Sequence, residues 1–349
     1  MEEDLITSRP VVSERGISCD FRSMPDAAPS GRHVLGRVIY QHTSEPPVLR
    51  DGAPQVGVHM VDAGAEPFAE VWLTDKPARS GTLDALVWAE DGEYLFCAFR
   101  VEKQAVYRQP VRAAYEAAFE LADRLGYTKI FRMWNLVGHI TRDNAEGMEN
   151  YRDFCIGRAE AFERWSSRIG SMPAATGIGA LSDGIDCYFL ACREGKATFL
   201  ENPLQTPAYK YPDQYGPKSP SFARATYLTQ VEEHATNIVY VSGTASIIGD
   251  ETVCLEDIDG QLDLTIGNIE TLISRGNLWL HGIGDGYRIA DLDFIKVYVR
   301  DAEHLPVVRA KCAEVFAAHA NVVYLNVDVC RPDLLVEIEG ICRQEIADR

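Results

Sequence analysis

The stretch from Val322 to Gly340 constrains the fold of this chain more than any other. Two runs rich in β-branched residues, Val322 to Val329 and Leu334 to Glu339, are interrupted at Arg331-Pro332-Asp333. Both runs have the character of strands, and proline, lacking a backbone donor, places the break between them, so the expectation is two strands joined by a tight connection. In the second run Val336 and Ile338 point to one face, Glu337 and Glu339 to the other. Two readings are open. Either both glutamates face solvent, or one sits in a pocket beside Cys330 and Arg331, where an arginine and a carboxyl group would suit a substrate bearing its own carboxylate.

A chain of 349 residues exceeds one ordinary core and fits two domains. The net charge of −18 argues against nucleic acid as a partner, and it means that an anionic substrate needs a local basic site. Individual arginines therefore matter. No apolar run approaches the roughly 20 residues of a membrane span, and Met1-Glu2-Glu3-Asp4 lacks the layout of a signal peptide. Nine cysteines, none in a CxxC pair or a zinc-type cluster, read as reduced thiols in a cytoplasmic protein with no metal and no organic cofactor. His139 and His281 are isolated, and each reads better as a structural histidine than as a general base. Gly282-Ile283-Gly284-Asp285-Gly286 reads as a loop.

In chain order, residues 1–33 form an N-terminal extension that is poorly ordered or wraps the fold. Strands are expected at Val34–Gln41, Gln55–Val61, Phe68–Leu73 and Tyr94–Val101, with a loop from Thr43 to Gly52 around Pro46-Pro47. Helices are expected at Val111–Leu125, after Pro110, and from about Met148 to Arg168, with a strand at Lys129–Trp134 between them. Short strands at Ala175–Ala180, Asp186–Cys192 and Ala197–Glu201 complete an N-terminal domain over 34–205. Residues 206–222 hold Tyr209, Tyr211 and Tyr215 among five prolines of the stretch Asn202–Phe222. This segment is either an interdomain linker or, with Arg224 beside it, part of a site for a hydroxylated dicarboxylate. A C-terminal domain over 223–349 then starts afresh, with strands Arg224–Leu228, Asn237–Ile247 and Phe294–Val299 and helices Leu262–Arg275 and Leu305–Ala318. The class is α+β, mixed sheets with helices on one face. The two halves share a rhythm that suggests an internal repeat.

Several of these segments have a familiar look. Gly243-Thr244-Ala245-Ser246 and the closing Val336-Glu337-Ile338-Glu339 resemble the RID/YjgF fold. Trp134-Asn135, the run Asn150 to Arg158, and above all Tyr211-Pro212-Asp213-Gln214-Tyr215-Gly216-Pro217 resemble the chorismatases, over roughly residues 34–349. That resemblance implies a monomeric, pseudo-trimeric single chain that cleaves chorismate to pyruvate and an aromatic or cyclohexadiene acid in a cleft between domains. It implies Glu337 as the acid that protonates the enolpyruvyl methylene, with Glu339 as the substitute. Arg158 and Arg224 would clamp carboxylates, and Tyr209, Tyr211, Tyr215 and Cys155 would complete substrate binding. Gly243 and Cys330 match the branch that gives 3-hydroxybenzoate. From the residues alone, Gly243 reads more commonly as a bulge or close backbone approach in a strand, and Cys330 as a small buried hydrophobe. A hydrolytic chorismatase giving 3,4-dihydroxycyclohexa-1,5-diene carboxylate, or mixed 3- and 4-hydroxybenzoate, is the alternative. An RID-type imine deaminase or ligand-binding module is a further one.

Overall fold

A computed structural model describes residues 16–23, 31–62, 64–193, 196–229 and 237–343. The first sheet holds β1 (Ser18–Ser23), β2 (His33–Gln41), β3 (Glu45–Arg50), β4 (Ala53–His59) and β5 (Phe68–Thr74), in the order β1-β5-β2-β4-β3. The second holds β6 (Arg79–Leu83), β7 (Leu86–Glu90), β8 (Tyr94–Val101), β9 (Lys129–Gly138), β10 (Ala174–Ala180) and β11 (Ile185–Cys192), in the order β10-β9-β11-β8-β7-β6. Helices α1 (Arg108–Leu125) and α2 (Asn150–Ile169) belong to it. The third takes β12 (Lys196–Leu200), β13 (Ala225–Thr229) and β14 (Ile238–Ala245). After a small hairpin of β15 (Ile247–Ile248) and β16 (Glu251–Thr252), it adds β17 (Leu292–Val299), β18 (Val322–Asn326) and β19 (Val336–Arg343), in the order β12-β13-β14-β19-β17-β18. With it go α3 (Ile258–Ile273), α4 (Arg275–Leu280) and α5 (Leu305–Val315).

The sheets are mixed, as the α+β reading expects, and three of them share one core inside a single chain. Leu35, Val38 and Tyr40 of the first sheet, Phe96, Trp134 and Tyr188 of the second, and Tyr240, Tyr298 and Ile341 of the third pack into one buried cluster. Helices cover the opposite faces of two sheets: α1 and α2 bury Tyr115, Phe119 and Phe162 against the second, while α3 and α5 bury Leu262, Ile269 and Val308 against the third. Alternation along a strand therefore distributes side chains between a helix-covered face and the shared interior. On β19, Val336 and Ile338 go to the helices, and Glu337 and Glu339 to the interior at 4% and 2% exposure. The solvent-facing reading of the two glutamates is excluded. No helix among the described residues is long and apolar enough to cross a membrane.

The structure corrects several local expectations. β18 and β19 are not a hairpin, because β17 lies between them, parallel to β18 and antiparallel to β19. The segment Thr43 to Gly52 is largely strand β3. Its prolines are tolerated since β3 is an edge, with a register irregularity between Glu45 and Val48. Within the N-terminal extension, Ser18–Ser23 wraps as edge strand β1 against β5, while residues 1–15 and 24–30 lie outside the described residues. Strands β6 and β7 went unforeseen.

Where α1 begins, Tyr107 has no side-chain cap of its own, and the buried Asp153 carboxylate of α2 accepts its backbone N–H instead. Gly157 makes this approach possible, for a Cβ there would lie 2.1 Å from the Arg108 carbonyl oxygen. Backbone cannot swing aside as a side chain can. Gly157→Ala is expected to cost about 2 kcal/mol by overpacking, read as a lower midpoint in urea unfolding with an unchanged slope.

Candidate active site

Where the second and third sheets meet the Tyr/Pro-rich segment 206–222, a cleft opens. One wall is acidic and soft: Glu337 from β19, Gly243 from β14 and Cys330 from the β18–β19 connection. Cys330 Sγ lies 4.0 Å from Glu337 Oε2. The rest of the lining includes a basic and aromatic group: Arg224, Tyr211, Tyr215 and Arg331. The guanidinium of Arg331 lies 4.0 Å from the Tyr215 ring centre and 5.1 Å from that of Tyr211, and its Nη1 donates to the Asp250 carbonyl at 2.8 Å. Arg224 Nη2 donates to the Tyr211 hydroxyl at 2.6 Å and the Thr206 carbonyl at 3.0 Å. Each arginine keeps one buried nitrogen without a hydrogen-bond partner, Nε of Arg224 and Nη2 of Arg331. Buried donors of this kind carry a desolvation cost that an anionic ligand would relieve.

The two glutamates of β19 are held in opposite states. Glu339 accepts from Arg132 Nη2 at 2.6 Å, Trp134 Nε1 at 2.8 Å and Lys296 Nζ at 2.8 Å. Burial alone would raise its pKa, but Lys296 and Arg132 hold it down at about 2. Glu337 has no such pairing. Burial, then the negative charge of Glu339, pushes it up to about 8, against the smaller opposing pull of Arg132 and Arg224. Of the two, only Glu337 carries a proton near neutral pH and borders the cleft.

Six of the residues expected in the site line the cleft: Glu337, Cys330, Gly243, Tyr211, Tyr215 and Arg224. Three do not. Arg158 sits behind the wall, bonded to the Tyr115 hydroxyl at 3.2 Å and to the Ser221 carbonyl, its guanidinium 4.8 Å from the Phe162 ring centre. Its amphipathic neighbours on α2 bury it in the helix interface, so it supports the segment that carries Phe222 and Arg224 without facing the cleft. Cys155 is buried beneath Tyr151, and Tyr209 is 42% exposed beside Lys210. Neither His139 nor His281 borders the cleft. Arg331, expected at the strand break beside Cys330 and a β19 glutamate, borders it as well. Tyr151 and Arg152 also border it and were not among the expected residues, although both stand inside the run Asn150 to Arg158.

The chain is 52% identical over 314 residues to a 3-hydroxybenzoate synthase of Streptomyces hygroscopicus, covering 90% of this chain and 92% of the relative. The chain belongs to the chorismatase family. A family model described as "Chorismatase FkbO/Hyg5-like, N-terminal" matches residues 70–191. A chorismatase of Streptomyces rapamycinicus is 42% identical over 324 residues, covering 93% of this chain and 97% of that one. A crystal structure of a chorismatase superposes with a TM-score of 0.89 at 39% identity, over 95% of this chain and all of the other.

Proposed function

We propose that this chorismatase-family protein converts chorismate to 3-hydroxybenzoate and pyruvate, with Glu337 as the acid. The observation that carries this reading is a buried Glu337, its pKa pushed up to about 8, in one cleft with Arg224 and Arg331. Chorismate has two carboxylates, a ring hydroxyl and an enolpyruvyl methylene that must gain a proton. Arg224 and Arg331 take the carboxylates, and Tyr211 and Tyr215 pack against the guanidinium of Arg331. Glu337 transfers its proton to the methylene carbon, giving an oxocarbenium ion. The ring carbon–oxygen bond breaks with its electron pair going to the departing pyruvate oxygen. The oxygen of the neighbouring ring hydroxyl closes on the vacated carbon, and its proton returns to Glu337. The resulting arene oxide opens and tautomerises to 3-hydroxybenzoate, so substrate and products balance without water. The 52% identity to a 3-hydroxybenzoate synthase and the matching Gly243 and Cys330 support this product over the hydrolytic diol. The nine free cysteines support a reducing, cytoplasmic setting.

The test is pyruvate release from chorismate across about pH 6 to about pH 10. Since the active form is the protonated one and its pKa lies at about 8, kcat/KM is expected to be level below that value and to fall tenfold per unit above it. A rate that rises through pH 8 would contradict the assignment. Arg331→Leu is expected to raise KM about 10- to 100-fold through loss of a charge-assisted contact. Arg158→Leu, by contrast, should lower the melting temperature more than it changes KM.

A further inference from the structure

Behind Glu337 the interior contains a cluster of charge whose four members do not border the cleft. Glu70 of β5, Arg132 of β9, Lys296 of β17 and Glu339 of β19 come from all three large sheets, and each is at most 3% exposed. Lys296 Nζ donates to Glu339 at 2.8 Å, Glu70 at 2.6 Å, the Tyr40 hydroxyl at 3.1 Å and the Tyr188 hydroxyl at 3.3 Å. Glu70 also accepts from Trp72 Nε1 at 2.7 Å. Arg132 reaches Thr176 Oγ1 at 2.7 Å as well as Glu339, and its guanidinium lies 4.3 Å from the Trp134 ring centre. The same Thr176 hydroxyl donates to Glu339 and accepts the Gly243 backbone N–H at 3.0 Å, so the cluster is braced against the strand that borders Glu337.

Two cations balance two anions here, and none is left for a third carboxylate. Glu337 is that third carboxylate. It stands two residues from Glu339 on the same face of β19, about 7 Å along the strand. The charged and titratable groups around it are Glu339 and Arg132 on the cluster side, and Arg224, Cys330 and Tyr151 on the cleft side. Arg224 already serves Tyr211 and Thr206.

We propose that Glu70, Lys296, Arg132 and Glu339 are positioning residues for the acid: their neutral charge balance commits Lys296 and Arg132 to Glu70 and Glu339 rather than to Glu337 and so helps keep the proton on it. This deepens the reading above and rests on Glu337 being the acid. Glu70 is the most telling member, because it comes from the first sheet and does not border the cleft.

The experiment reads the pH at which kcat/KM for pyruvate release falls. Glu339→Gln leaves one excess positive charge next to Glu337 and is expected to move that limb about 1–2 units to lower pH. Glu70→Gln leaves the same excess farther away and should move it about half a unit in the same direction. Glu70→Gln combined with Lys296→Met removes a balanced pair and should return the limb to its wild-type position. Limbs that stay in place in both glutamine variants, or a double variant that stays displaced, overturn the proposal. Both glutamine variants keep the size and shape of the side chain, so they decide the matter alone if the double variant does not fold. Glu337→Gln separates the two ideas. If it turns over chorismate undiminished, the acid assignment falls and this proposal with it; if it is inactive while the other limbs do not move, only the charge balance is wrong.

Discussion

Glu337→Gln is expected to lose at least about 10³-fold in kcat while keeping its fold, because it removes the carboxyl group of the cleft wall whose pKa burial and Glu339 push up to about 8. Cys330 is close, but burial raises its thiol pKa and makes it a poorer acid still. Glu339 cannot substitute, since its oxygens are committed to Arg132, Trp134 and Lys296 and it is ionised down to about pH 2. The same variant carries a stability signature. The folded-state pKa of Glu337 is raised to about 8 from an ordinary 4.5. Its favourable contribution is therefore complete below the unfolded value and is lost as pH rises through the folded one. The wild type should lose melting temperature relative to Glu337→Gln across that window, and the variant should be the more stable protein at about pH 9. A Gln variant that keeps wild-type kcat would end the acid assignment whatever its stability.

The second large effect concerns the product. A Cβ at position 243 would lie 1.8 Å from Glu337 Oε1 and 3.2 Å from Thr176 Cγ2. The carboxyl group is the end of a flexible side chain, so Gly243→Ala should not unfold the sheet; it should turn the acid. Cys330→Val adds branched bulk at the atom 4.0 Å from the other carboxyl oxygen. Together the two changes re-aim the proton donor and reshape the space beside the ring. The double variant is expected to release pyruvate about tenfold more slowly. Part of its product should shift to the dihydroxycyclohexadiene carboxylate, as water reaches the cationic intermediate before the ring hydroxyl closes. Chromatography of the acids formed reads this directly. If 3-hydroxybenzoate remains the sole acid, Gly243 and Cys330 do not sort products.

Much of this was legible in the chain because period-two patterning is local. The β19 run placed Val336 and Ile338 opposite Glu337 and Glu339, and that alternation is what the sheet contains. What the pattern could not tell was which face is wet. Here the polar face lies inside a core shared by three sheets, a fact that depends on β5, β9 and β17, distant in sequence. For the same reason Glu70, Arg132 and Lys296 were not noticed as partners of Glu339. The segment 206–222 could be recognised by composition as unusual, yet only the fold turns Tyr211 and Tyr215 inward and leaves Tyr209 out. Arg158 misled because an arginine inside a resembling motif says nothing of whether its guanidinium faces a cleft or, as here, the Ser221 carbonyl behind it. Edge position, a property of the whole sheet, likewise rescued the prolines of β3.

The measurement that bears most directly on the account is a single turnover experiment with chorismate in water enriched in oxygen-18, without added metal. The account predicts pyruvate and 3-hydroxybenzoate in equal amounts, with the phenolic oxygen unlabelled because it comes from the substrate. Label in the ring product, or the diene diol in place of 3-hydroxybenzoate, would contradict the intramolecular route; chorismate left intact would contradict the function itself.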